Sequence, residues 1–257
     1  MNFLSPTPCH ISWREPRVWL VPTLTLAGMI VLIASDTNRS LFLYLNGLGT
    51  MASDVLWQNL TVLGGTLAGL ILMAPLIGRR PDILWSLALA VVLATLWVHG
   101  LKGPIDSLRP PAVIPPELIH IIGPAHHYGS FPSGHSTTIF TIAGILSMYL
   151  RRSALFWLLP VALLISISRI AVGVHWPIDV LGGAFGGWLS AVSGTWLAQR
   201  WQWGVGKSGK WILGLIMAGC ALGLLFSPDT NYPEAVMLQQ GLAILSLLPV
   251  IQLSIKK

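Results

Sequence analysis

The sequence predicts an all-α, polytopic membrane helical bundle, on three observations. Hydrophobic residues fill 54% of the 257 positions and charged residues only 9%. A soluble domain carries about 25% charge, so this chain has too little to cover a water-facing surface. Several apolar runs reach the roughly 17–25 residues that cross a bilayer as a helix. Once those runs are taken as spans, the Lys and Arg residues between them fall mostly on one side.

Residues 1–17 form a short polar lead with Arg14 and Arg17, read as a cytoplasmic segment. The apolar run behind it is longer than a signal-peptide core and no A-x-A-like site follows, so it is expected to be an uncleaved first helix, Val18 to Ala34. Asp36 to Asp54 is mixed. Its Leu41-Phe42-Leu43-Tyr44-Leu45 run is too short to cross and suits the interface. Span two ends at Ile77, before Arg79-Arg80-Pro81, and span three covers Asp82 to Leu101. Residues 103–132 are the longest polar excursion, with seven prolines that argue against helix or inner strand. Span four starts near Ser136 and stops at Arg151-Arg152. Spans five to eight follow at 154–170, 178–197, 211–226 and 236–255. Span six carries Gly182, Gly186, Ser190 and Gly194, a stripe of small residues that lets helix backbones approach closely.

With a cytoplasmic N-terminus, that side holds Arg14, Arg17, Arg79, Arg80, Arg151, Arg152, Arg200, Lys207, Lys210, Lys256 and Lys257. The other side holds only Arg39, Lys102, Arg109 and Arg169. This fits the positive-inside rule and a multi-pass protein of the plasma (inner) membrane. The net charge of +6 and pI near 9.8 are therefore read as membrane topology, with no nucleic acid as partner. Cys9 and Cys220 make no disulfide framework.

Three of the four exceptional cations stand near residues that carry chemistry. Lys102 and Arg109 sit at and just beyond a span end, and Arg169 ends an apolar helix, where a charge needs a partner. Pro132-Ser133-Gly134 before span four is a helix-start signature: Ser133 can cap, Gly134 permits close backbone approach, and the free N–H groups point at an anion. His175 precedes Trp176-Pro177, and Asp179 falls in the first turn of span six, where it can hold one ring nitrogen of His175. The bland alternatives are snorkelling cations and an ordinary capped helix. His120, His126 and His127 are read as solvated loop residues, and His99 as bundle-facing or near the site. Gly206-Lys207-Ser208 is no phosphate loop, because Trp201 stands where its first glycine belongs.

Lys102-(six residues)-Arg109-Pro110, then Pro132-Ser133-Gly134-His135, then Ser168-Arg169-(five residues)-His175-(three residues)-Asp179 resembles the three-part signature of the type 2 phosphatidic acid phosphatase superfamily. The resemblance implies a six-helix catalytic core over residues 18–200. The two C-terminal helices in 201–257 are additional and unexplained by it. It implies that Lys102, Arg109 and Arg169, with Ser133 and the Gly134 N–H, bind phosphate, that His175 is the nucleophile oriented by Asp179, and that His135 protonates the leaving oxygen. No metal or other cofactor is implied, since three cations neutralise the developing charge; Cys, His and carboxylate clusters of the zinc or magnesium kind are also missing from the sequence.

The expected activity is metal-independent hydrolysis of a lipid phosphate or pyrophosphate in the outer leaflet, at a site facing the periplasm or exterior. Polyprenyl diphosphate, phosphatidylglycerol phosphate, phosphatidate and lipid A phosphate all fit. A phosphotransferase would pass the same phosphoryl group to a second lipid. A non-catalytic transporter would place its polar groups near mid-membrane, whereas these cluster at span ends. The sequence carries no signal for oligomeric state.

Overall fold

The computed structural model describes residues 11–255, so Cys9, Lys256, Lys257 and the first ten residues of the polar lead lie outside the described residues. Eleven α-helices and several 3-10 turns follow one another: α1 (Pro16–Ala34), α2 (Asn38–Gly49), α3 (Asp54–Leu63), α4 (Thr66–Ile71), α5 (Pro81–Ile105), α6 (Pro110–Val113), α7 (Gly134–Tyr149), α8 (Leu155–Ala171), α9 (Pro177–Arg200), α10 (Lys207–Phe226) and α11 (Val236–Ile255). The starts follow local chemistry. Pro16, Pro81 and Pro177 open α1, α5 and α9, where a missing N–H costs no helical bond. Ser53 and Ser133 cap α3 and α7.

Each of the eight expected apolar segments is helical, but they are not eight equivalent spans. Among the described residues, five segments are long and apolar enough to cross a membrane: α1, α5 with its continuation to Val113, α8 with its preceding turn, α10, and α11 with its preceding turn. The expected second span is two helical pieces bent by 67°, broken at Gly64-Gly65; paired glycines are a common cause of such a kink. The expected fourth and sixth spans are α7, with only 16 residues, and α9, with 24 residues rich in glycine and hydroxyls. Both lie inside the bundle. Twelve residues of α7 and fifteen of α9 are buried, so neither needs a lipid-facing composition.

Two further expectations are refined. Proline did not keep residues 103–113 free of helix: α5 runs through Pro104 in its last turn, and Pro110-Pro111 open α6, a position that suits proline. The interfacial stretch contains α2, which buries Phe42, Asn46 and Gly49. Phe42 meets Trp176 edge-on at 5.1 Å.

The centre is the α7–α9 contact. A Cβ on Gly183 would stand 2.5 Å from the Ser133 carbonyl oxygen, and one on Gly187 would stand 2.4 Å from that of Thr137. The backbones therefore touch directly, and Thr141 adds a hydroxyl bond to the Gly187 carbonyl at 3.1 Å. The neighbouring stripe faces elsewhere, with Gly186 under Trp97 and Gly194 against Ala90, both on α5.

The two ends of the bundle differ. At one end Arg17 donates to the Ser147 carbonyl at 2.9 Å, Ser86 meets the Tyr149 hydroxyl at 2.8 Å, and the Arg80 guanidinium lies over the Tyr149 ring. At the other, Asn46 on α2 donates to the carbonyls of His120, Ile170 and Ala171, fastening the 114–133 loop to the end of α8. This second end carries the site.

Candidate active site

The site is assembled from the start of α9, the start of α7 and the loops before each. Asp179, third residue of α9, turns back so that its Oδ2 accepts the Trp176 N–H at 2.8 Å. The same oxygen accepts the Ser130 hydroxyl at 2.5 Å and stands 3.3 Å from His175 Nδ1. An ionised carboxylate only accepts, so Nδ1 carries the proton and Nε2 presents a lone pair. His175 and Asp179 are 2% and 1% exposed. Burial first, and then Arg109, Arg169 and Lys102, hold the His175 imidazole well below its ordinary pKa, with a further contribution from His135. His175 is therefore neutral at pH 7.

The two helix starts are bound together, since the Ser133 N–H donates to the Asp179 carbonyl at 3.0 Å. Ser133 is fully buried, and its Oγ accepts the Ser136 N–H at the edge of hydrogen-bonding range, 3.5 Å. Its own proton stays available to donate, and Gly134 opens the helix with a free N–H. His135 follows on the first turn. Its ring makes no hydrogen bond to the described residues, and it borders a second cleft beside Thr66, Ser227 and Asp229.

The cations are held in two ways. Arg109 is clamped by backbone carbonyls: Nε donates to Tyr128 at 2.9 Å, Nη1 to Val174 at 3.3 Å and Nη2 to Gly129 at 3.3 Å. Arg169, 4% exposed, is held by side chains: Nη1 donates to Thr61 Oγ1 at 2.7 Å and to the Tyr232 hydroxyl at 3.1 Å. Lys102, in the last turn of α5, packs beside Gly129. It lines a cleft of about 220 Å³ with Val98, His99, Gly134, Thr138 and Leu70, to which Leu87, Val91 and Ile142 add apolar lining and Thr95 and Thr141 hydroxyls. Among the described residues no group of three His, Cys, Asp or Glu side chains is placed to hold a metal ion.

All eight residues singled out from the sequence thus stand at one end of the bundle, around the starts of α7 and α9. His99 lines the cleft beside Lys102, whereas His120 pairs with Asp54 at 2.8 Å on the surface. His126 lies at the edge of the cationic field: burial first, then Arg109 and Arg169, lower its pKa. Ser130, Thr61 and Tyr232 carry no signal that sequence reading detects. Each acts through one hydroxyl on a partner far along the chain, and no spacing rule marks such a contact.

The family model described as the PAP2 superfamily matches residues 83–203. A protein of Escherichia coli strain K12 named "Putative undecaprenyl-diphosphatase YbjG" is 38% identical over 112 residues, 42% of this chain and 52% of its own length. The lipid A 1-phosphatase of Rhizobium etli is 32% identical over 106 residues, 40% of this chain and 45% of its own. This chain thus spans about half the length of the curated relatives it matches. The crystal structure of Aquifex aeolicus LpxE superposes with a TM-score of 0.55 at 32% identity, covering 61% of this chain and 93% of that one. With the motifs standing at one end of an all-helical bundle, and a solved relative matched over nearly its whole length, the chain belongs to the PAP2 superfamily.

Proposed function

We propose that this chain hydrolyses a lipid phosphate or diphosphate at the membrane face where α7 and α9 begin. One observation carries the reading: a buried, neutral imidazole, His175, is held at Nδ1 by Asp179 among Lys102, Arg109 and Arg169. A loose phosphoryl transition state needs positioned positive charge around its oxygens and a nucleophile in line. The three cations, the Ser133 hydroxyl and the Gly134 N–H supply the first, and His175 Nε2 the second. As the N–P bond forms, the P–O bond to the lipid breaks, and His135, protonated once the phosphate anion is bound beside it, gives that oxygen its proton and becomes neutral. Water then attacks the phosphohistidine while His135 takes a proton back, releasing inorganic phosphate and restoring both rings.

Residues 18–200 would form the catalytic unit. The excess of cations at the opposite end supports a site on the non-cytoplasmic face of the plasma membrane. The names of the relatives, an undecaprenyl-diphosphatase and a lipid A 1-phosphatase, point to large lipids carrying a phosphate or diphosphate. The Leu70, Leu87, Val91 and Ile142 side chains lining the Lys102 cleft suit the start of such a lipid's chain.

The test assays purified protein for phosphate release against a panel of polyprenyl diphosphate, lipid A, phosphatidate and phosphatidylglycerol phosphate, with rapid-quench trapping of radiolabelled phosphoenzyme. At least one lipid should turn over. His175→Ala should abolish both turnover and the trapped species, a loss on the order of a million-fold as for other removed nucleophiles. His135→Ala should still form the phosphoenzyme, slowly. Trapping of label in His175→Ala but not in His135→Ala would exchange the two roles.

A further inference from the structure

Helices α10 and α11 and the connector between them lie beyond the family match, which ends at residue 203. The connector nevertheless reaches the anion site. Tyr232 is 3% exposed and packs with Trp57, Ile122, Val172 and Val174. The chain on either side of it is pinned. Glu234 N–H donates to Gln58 Oε1 at 3.1 Å, and Gln239 closes the turn by accepting from the Asp229 N–H and donating to its carbonyl at 2.9 and 3.2 Å. A Cβ on Gly123 would stand 2.9 Å from the Asn231 carbonyl, so the connector also lies directly on the 114–133 loop. Its position is fixed relative to the site.

Consider what this does to Arg169. A guanidinium has five N–H donors, two on each Nη and one on Nε. Thr61 and Tyr232 accept both hydrogens of Nη1. That leaves Nε and Nη2, the edge whose parallel N–H groups fit two oxygens of one phosphate. Nε is buried and has no hydrogen-bond partner among the described residues.

We infer that Tyr232 is a positioning residue: by occupying Nη1 together with Thr61, its hydroxyl turns the Nε–Nη2 edge of Arg169 toward the substrate phosphate. The C-terminal hairpin is then part of the reaction site, acting through one side chain from outside the family core. This rests on the phosphatase reading above.

The test is vanadate binding, which needs no turnover, measured with purified full-length protein and set beside kcat/KM on whichever lipid phosphate the panel selects. Tyr232→Phe keeps the ring and its packing and loses only the hydroxyl. It should weaken vanadate binding and lower kcat/KM by about tenfold each, the usual effect of losing a hydrogen bond to a charged group. Thr61→Val, a second route to the same loss, should act in the same direction. In an Arg169→Lys background, which keeps the charge but has no fork, Tyr232→Phe should cost less than about twofold. Wild-type affinity in Tyr232→Phe, or an undiminished tenfold loss in the lysine background, overturns the inference and leaves the site reading intact. Wild-type protein that binds no vanadate overturns the site reading, and this inference with it.

Discussion

The central pair α7–α9 and the C-terminal pair α10–α11 are built from similar residues to opposite ends. Both pairs contain glycines in helix interiors. In α9, Gly183 and Gly187 bring backbone against backbone. In α10 and α11, a Cβ on Gly219 or Gly241 would enter open space. The central pair turns inward, whereas the C-terminal pair leaves Leu215, Phe226, Met237 and Leu245 more than 60% exposed. Hydropathy follows this outward face. A hydropathy reading therefore gives most prominence to helices that face lipid and less to α7 and α9, at whose starts the candidate site lies. Position in the bundle, not apolarity, marks α7 and α9.

Three measurements sharpen or break this contrast. The largest effect should come from Gly187→Ala, whose added carbon would have to push the Thr137 carbonyl and part α7 from α9. About 3 kcal/mol of stability should be lost, along with most activity, as read by unfolding in mixed detergent and by phosphate release. Wild-type behaviour would show that the central contact is looser than its geometry implies.

An intermediate effect concerns pH. His175 sits in the loop before α9, where burial and then Arg109 and Arg169 lower its pKa. A lowered pKa favours the neutral ring, so His175 stays unprotonated where an exposed histidine would be charged. The acid limb of kcat/KM, corrected for ionisation of the substrate, should fall below the ordinary imidazole value of about 6.5. A limb at or above that value would mean that the centre is wetter and less cationic than described.

The smallest effect should come from Gly241→Ala in α11. With nothing in the way, alanine should leave activity unchanged and stability equal or higher by up to about 1 kcal/mol. A loss as large as that of Gly187→Ala would abolish the distinction between the two pairs.

The chain yields its apolar segments readily, because burial in lipid imposes a composition on every outward-facing helix. It does not reveal that α7 and α9 are wrapped by the others, since a short or glycine-rich segment reads the same whether it is central or marginal. The break at Gly64-Gly65 was hidden for a related reason: the run around it stays apolar to Ile77. In the site, the residues that touch phosphate in the proposed mechanism were legible, because they fall in three short segments at helix ends. Their supports were not. Ser130, Thr61 and Tyr232 meet their partners across 49, 108 and 63 positions, each through a single oxygen. A fold must exist before such a contact has any meaning.

The shortness of α7 has a consequence for how a lipid is handled. Its 16 residues rise about 24 Å, against roughly 30 Å of hydrocarbon. Were its far end, where Arg17 meets the Ser147 carbonyl, to lie at one surface, the end bearing Gly134 and His135 would stop several ångströms beneath the other. On the proposed activity, a lipid phosphate drawn down to that depth would leave its alkyl chain in oil throughout. Each methylene carried out into water would cost about 0.8 kcal/mol, so lifting a lipid to a site above the surface would demand substantial extraction work. In the proposed reaction, a helix one turn too short would remove that work by bringing the site to the lipid.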